Sequence, residues 1–268
     1  MSDPIIRVSS LSGWQDCPRR NAARTFNTLL AEQGYEFIER TNNVASSFGT
    51  GLHSGQELVL QGKIDGKIPS LDDMIEASCE SFRTQTRDGV EYDNTTTSLD
   101  VADKQTANIC RAWYYGVLPK VNPVMVEGEI IEPVPGGLVL SGHPDVVESD
   151  TIRDLKTGKS GNTYHAQLGG YSLLAKARGI AIPEWSVVDW IPRSTLKNEQ
   201  PEPVEYRYPA ALCEQEAQSA LAELARQYKK YIKTQNPGVF VCNTMSRMCS
   251  SRYCEAYGTD WCLVSQTL

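Results

Sequence analysis

The chain has 268 residues, a net charge of −7 and a pI near 5.1. That excludes a basic protein coating nucleic acid by bulk charge, and leaves room for one large or two small domains with a sizeable core. Apolar residues make up 40% and charged residues 22%, the balance of a globular chain, and no run approaches the roughly 18 apolar residues of a membrane span. The opening MSDPIIRVSS lacks the basic and apolar regions of a secretory signal, so a cytoplasmic location and no membrane partner are expected.

In chain order, residues 9–34 predict a short helix, a Cys-Pro corner at Cys17 and Pro18, and a second helix ending near Gly34, with Ser10 or Ser12 capping the first. FGTGLHSGQELVLQGK (48–63) reads as a glycine-rich turn that becomes a helix, with His53 and Glu57 on one face. A further helix spans 70–85 with Ser70 as its cap, 92–100 is a polar loop, and 100–121 returns to helical spacing and stops before Pro123. The texture then turns β-rich. The stretches 124–134, 136–149 and 151–158 are separated by Pro-Gly-Gly and Ser-Asp turns and read as a meander. A helix over 163–180, strands over 183–193 and 203–209, and a long helix over 210–235 follow. From Asn236 the chain is cysteine-rich and irregular. The expected whole is one α/β domain over 1–268. Its parts are a mainly helical 1–122, a β-rich core over 123–208 with a central mixed sheet flanked by helices, and a long helix with its tail over 209–268.

Within the β-rich part, GHPDVVESDTIRDLKTG (142–158) places Asp145 after a tight turn and Asp154-Leu-Lys156 on the next strand. If the two segments pair antiparallel, Asp154 is folded back toward Asp145, and Asp154 and Lys156 share a face because side chains two apart point the same way. Crowded carboxylates repel unless a cation lies between them, and a hard divalent ion suits oxygen ligands. Asp-x-Lys alone is a common triplet and usually a surface ion pair. The surrounding turn, the strand and the pair Gln167 and Tyr171, four apart on the next helix, raise its weight.

Taken together these stretches resemble the PD-(D/E)XK nuclease superfamily, in particular its RecB-like exonuclease branch. GHPD resembles that branch's Gly-x-x-Asp motif, DLK its (Asp/Glu)-x-Lys motif, QLGGY its Gln-x-x-x-Tyr motif, FGTGLH its upstream Gly-Thr-x-x-His motif, and LSGWQDCPRR its opening segment. The resemblance runs from residue 12 to residue 262. It implies a restriction-endonuclease-like core, with His53, Asp145, Asp154 and the Leu155 carbonyl as ligands of Mg²⁺ or Mn²⁺. It implies Lys156 as the catalytic lysine and Gln167 and Tyr171 as residues that contact DNA or order the site. Glu127 and Glu129 are either further acids near the metal or solvent-facing acids on an alternating strand. The implied activity is a metal-dependent DNA exonuclease acting on DNA ends, with recombination or replication proteins as partners. A structure-specific endonuclease of the same fold and a non-catalytic Fe–S nucleic-acid-binding protein are the alternatives.

Eight cysteines are many for a reducing compartment. Cys242, Cys249, Cys254 and Cys262 crowd the end with gaps of six, four and seven residues, of which only the four-residue gap suits a zinc knuckle. The same resemblance implies a [4Fe–4S] cluster held by Cys17, Cys249, Cys254 and Cys262, with Cys242 as the competing fourth ligand and zinc more plausible for that all-local set. Cys79, Cys110 and Cys213 lie on predicted helices as small core residues. Arg19, Arg20, Arg247 and Arg252 flank the proposed ligands as phosphate contacts or as solvated charge.

Overall fold

A computed structural model describes residues 3–39, 43–158 and 164–262. The β-rich part does not form one meander. It divides into two small sheets because the chain turns sharply at Gly142–Asp145, between Leu138–Gly142 and Val146–Val147. One sheet has three strands. Its centre is β4 (Leu138–Gly142), with β3 (Ile130–Val134) antiparallel on one side and β1 (Ile5–Arg7) parallel on the other. Strand β1 was not expected, since the N-terminal part reads as helical: three residues are too few to show a period. The second sheet has the order β2 (Met125–Val126), β5 (Val146–Val147), β6 (Thr151–Lys156), β7 (Trp185–Trp190), β8 (Val204–Pro209). Only β6 and β7 pair in parallel in it, so the sheet is mixed.

The helices are α1 (Leu11–Asp16), α2 (Pro18–Thr25), α3 (Asn27–Glu32), α4 (Val44–Ile64), α5 (Leu71–Thr86), α6 (Leu99–Gly116), α7 (His165–Ala177) and α8 (Ala210–Thr234). Ser70 caps α5 as expected. Its hydroxyl accepts from the Asp73 N–H at 3.2 Å, and Asp73 accepts the Ser70 N–H at 2.8 Å. Ser10 precedes α1 but does not cap it, because its hydroxyl donates back to the Arg7 carbonyl. The glycine-rich run at 48–55 is not a turn but the second and third turns of α4. A Cβ at Gly51 would lie 2.8 Å from the Ser78 carbonyl and one at Gly55 2.6 Å from that of Met74. These glycines, four apart, therefore let α5 approach the α4 backbone closely. Thr163, the first residue of the helix expected over 163–180, lies outside the described residues.

Two cores sit on opposite sides of the β5–β6 hairpin. Val147 and Ile152 join β1, β3, β4, α7, α8 and the tail residues Phe240 and Trp261. Val146 and Leu155 face α4, α5 and α6. Burying Trp113, Phe48, Phe82 and Met74 in this second core, at about 1.5–3 kcal/mol for a side chain such as Phe or Met, fixes α4 and so the direction of His53. Cys79 on α5 and Cys110 on α6 are buried on this side, and Cys213 on α8 is buried in the first core. No described helix is long and apolar enough to cross a membrane.

Candidate active site

The expected hairpin forms. Val146 pairs with Arg153 and Val147 with Ile152, antiparallel, and this brings Asp145 against the end of β6. Asp145 Oδ2 accepts the Leu155 N–H at 2.6 Å. In an extended strand a residue's N–H and C=O point to the same edge, so the Leu155 carbonyl also faces the Asp145 side.

His53 comes to this point from α4. Its Nδ1 lies 3.3 Å from Asp145 Oδ1 and 3.2 Å from Glu127 Oε1. Ligand atoms of His53, Glu127 and Asp145 all lie within 4.8 Å of one another, and among the described residues no other such group of His, Cys, Asp or Glu occurs. Burial alone would lower the His53 imidazolium, but the Asp145 charge and the hydrogen bonds to Asp145 and Glu127 raise it to about 10. Asp145 moves the opposite way. Burial would raise it, yet His53, Lys156 and the Leu155 N–H hold it below the usual carboxylate range. Two carboxylates sharing one imidazolium is the arrangement expected where a divalent cation can replace the proton, so these side chains fit a metal ion.

Asp154 is 1% exposed. Its Oδ1 accepts from Gln167 Nε2 at 3.0 Å, and its Oδ2 lies 2.6 Å from Lys156 Nζ. Apart from this ion pair, no described group bonds that oxygen. Burial pushes Asp154 up to about 6 against the pull of Lys156, with Asp145 adding to the rise. Lys156 itself is lowered by burial but raised further by Asp154 and Asp145, and its ammonium lies 4.9 Å from the centre of the Tyr164 ring. Gln167 also donates to the Tyr171 hydroxyl at 3.2 Å. Asp145, Asp154, Lys156, Gln167 and Tyr171 are thus linked, with His53 on the Asp145 side. Glu57 is exposed and takes no part.

Of two further residues in this region, Glu127 was named from sequence and Arg153 was not. Glu127, for which two readings stood open, enters the His53–Asp145 group because the chain turns just after β2. Its backbone is left-handed, with φ +46°, a conformation that non-glycine residues adopt mainly at constrained sites. Arg153, between Ile152 and Asp154, points to the other face of β6. It bonds Glu148 at 2.9 Å, Asp189 at 3.1 Å and Glu205 at 3.2 Å, and so ties the hairpin loop to β7 and β8 beneath the site.

At the other end of the molecule, Cys17, Cys242, Cys249, Cys254 and Cys262 line one small cavity together with Arg20. Cys17 comes from the α1–α2 corner, as the sequence suggested. The Cys242 and Cys262 thiols are 3.9 Å apart, but no three of these thiols lie within 4.8 Å of one another. Four sulfurs around a single zinc are mutually about 3.8 Å apart, from Zn–S bonds of about 2.3 Å; the wider ring suits a larger group. Arg20 is 7% exposed, and its Nε and Nη1 have no described partner, only Nη2 reaching Asp16 at 3.0 Å. A buried cation with orphaned donors beside five thiols fits an anionic metal–sulfur group. Of the other flanking arginines, Arg19 donates to the Phe240 carbonyl and Arg252 pairs with Glu91.

Several comparisons bear on this arrangement. A candidate exonuclease from Eubacterium rectale has a similar structure, with a TM-score of 0.55 at 12% identity over 92% of this chain and 87% of that one. Two weaker likenesses are SSO0001, at 0.38 and 17% over 83% and 77%, and an alkaline exonuclease from Laribacter hongkongensis, at 0.32 and 13% over 71% and 99%. No curated protein matches the chain in sequence. The profile of the PD-(D/E)XK nuclease superfamily matches residues 7–259. That span contains both halves of the site, the mixed sheet with its flanking helices and the Asp-x-Lys strand, and the chain belongs to the PD-(D/E)XK nuclease superfamily.

Proposed function

We propose that the chain is a metal-dependent DNA exonuclease of the RecB-like branch, acting in DNA end processing or recombination. One observation carries this reading: His53, Glu127 and Asp145 converge beside the buried Asp154–Lys156 pair. Asp145, Asp154, the Leu155 carbonyl and His53, joined by Glu127, would hold Mg²⁺ or Mn²⁺. When bound, the metal would supply Lewis-acid stabilisation of the charge that develops on a phosphodiester. Binding it requires His53 to give up its proton, so affinity rises with pH below about 10. Asp154 and Asp145 keep Lys156 as an ammonium. Lys156 therefore donates, orienting the attacking water or neutralising a phosphoryl oxygen, rather than taking a proton. Gln167 holds the Asp154 carboxylate in place, and Tyr171 holds Gln167.

We also infer a [4Fe–4S] cluster on Cys17, Cys249, Cys254 and Cys262, because these residues meet at one cavity between α1 and the tail, with Cys242 beside Cys262 as the alternative ligand. Its role would be structural, stapling the α1–α2 corner to the tail, since hydrolysis moves no electrons. Protein purified without oxygen should contain about four iron and four sulfide per chain; zinc without sulfide would refute the cluster.

The activity is tested with end-labelled linear DNA and covalently closed circular DNA, in Mn²⁺, Mg²⁺ and EDTA. Mononucleotide release from linear DNA alone, abolished by EDTA, is expected. Cutting of the closed circle would make it an endonuclease, and no cutting with either metal would remove the nuclease reading.

A further inference from the structure

The three-stranded sheet packs one side against the core. Ile6, Val8, Ile130, Leu138 and Leu140 face inward to the core containing α7. The alternate residues face outward: Ile5, Arg7 and Ile131 are exposed, Val139 is half-buried, Ser141 is buried, and α2 stands at one end of this face. Across the strands, Ile5, Val139 and Pro133 make one row and Arg7, Ser141 and Ile131 the next. Ile5 is 57% exposed and Ile131 43%. The Arg7 guanidinium, also exposed, has no described hydrogen-bond or ion-pair partner. Ser9, His143 and Glu129 continue the face toward the metal site, and Glu129 is the acid at that end, 4.0 Å from His143.

A groove lies on this face and reaches the Tyr171 ring. A second groove shares Ile5, Arg7 and Ser9 with it and continues to Asn21 and Arg24. The two form one path along β1. At its inner end, β4 runs through Gly142 and His143 directly into Asp145. On a chain of net charge −7, a free cation between exposed aliphatic side chains, in a row whose β4 member Ser141 lies four residues before Asp145, is the unlike feature of the surface.

We propose that this outer face is the platform for a single polynucleotide strand on its way to the metal site, with Arg7 on a phosphate and Ile5 and Ile131 against bases. The occupant follows from continuity with the site and from charge. Strands β1 and β3 flank β4, so their axes are about 10 Å apart, the width of one extended strand rather than of a duplex. Phosphate contacts supply sequence-independent affinity, and apolar contacts with base faces are tolerant of sequence. The proposal rests on the nuclease reading for its substrate class, but its test is separate from cleavage.

Binding of a fluorescent oligo-dT strand is measured in EDTA, where nothing is cut, for the wild type and for Arg7→Glu, Arg7→Gln, Arg7→Lys and Ile131→Asp. Arg7→Glu and Ile131→Asp should each weaken binding tenfold or more, and Arg7→Lys should retain most of it. Arg7→Gln should lower the slope of log affinity against log salt by about 0.7, one single-strand phosphate contact. Hydrolysis of thymidine 5′-(p-nitrophenyl phosphate) in Mn²⁺, which reaches only the metal site, should not change. Equal binding by the wild type and Arg7→Glu would overturn the platform. So would loss of nitrophenyl ester hydrolysis in Arg7→Gln, a change in sedimenting mass instead of DNA affinity, or Arg7-dependent binding of duplex but not of single strands. A wild type that binds strands through Arg7 yet cuts no DNA would sink the nuclease reading and leave the platform standing.

Discussion

Replacing Asp154 by asparagine should stabilise the metal-free protein while ending cleavage. Asp154 is 1% exposed, and burial raises its carboxyl from 3.8 to about 6 despite Lys156 beside it. A group raised on folding favours the folded state fully below its unfolded value, and that contribution is lost as pH rises through the folded value. At pH 7.5 the ionised Asp154 therefore lowers stability by about 3 kcal/mol, from about 1.36 kcal/mol per unit over that rise. Asparagine cannot ionise and keeps the shape. Its Oδ1 can accept from Lys156 Nζ, and a Gln167 amide turned over can accept from its Nδ2. For a chain of this size about 2–4 °C accompanies each kcal/mol, so Asp154→Asn in EDTA at pH 7.5 should melt on the order of 6–12 °C higher than the wild type. Urea unfolding from pH 4 to 8 checks the sign: the gap should close below about pH 4. Saturating Mn²⁺ should narrow or reverse it, since the ion stabilises the form that binds it. An Asp154→Asn protein no more stable than the wild type in EDTA at pH 7.5 would refute the assignment of Asp154 as a strained, buried carboxylate. One that still cuts DNA at the normal rate would refute its place in the site.

Lys156→Gln should reduce cleavage at least about a hundredfold, the scale of removing one charge-stabilising donor, with an unchanged circular dichroism spectrum; activity within tenfold of normal would exclude the lysine. Arg153→Met should lower stability by about 3–5 kcal/mol in urea titrations, since it leaves Glu148 and Asp189 buried without their cation. Burial already raises Asp189 to about 6 against the pull of Arg153, so this loss should be largest above pH 6; a loss below about 1 kcal/mol would show the network to be ornamental. Gly169→Ala would put a Cβ onto the Cys213 carbonyl and 2.7 Å from the Glu214 nitrogen. Overpacking of this kind costs about 1–3 kcal/mol or more, so the variant should melt several degrees lower, while Ala177→Gly, at the end of the same helix, should fall by less.

The hairpin that carries Asp145 and Asp154 was legible because its signals are local: a turn, a short spacer and strand alternation that leaves Asp154 and Lys156 on one side. The Ser70 cap and the long α8 were legible for the same reason. The glycine-rich run before His53 was misread as a turn, since glycine favours turns locally and only the crossing of α5 shows that Gly51 and Gly55 are there for close approach. Strand β1 was missed because its partner β4 lies some 130 residues away, at Ile5–Val139 and Arg7–Ser141.

What the sequence by itself determined, then, is the set of chemically committed residues and the local elements that carry them: Asp145, Asp154 and Lys156 on a hairpin, Gln167 and Tyr171 one turn apart on α7, and cysteines at two distant places. What the tertiary structure alone decided is which of them meet. Glu127 reaches His53 across 74 residues and Arg153 reaches Glu205 across 52, and each contact depends on how two cores pack on either side of one hairpin. Alternation and helical period report which face a side chain occupies. They carry no information on which distant backbone closes against that face, because that is settled by the burial of Val146 and Leu155 on one side and Val147 and Ile152 on the other.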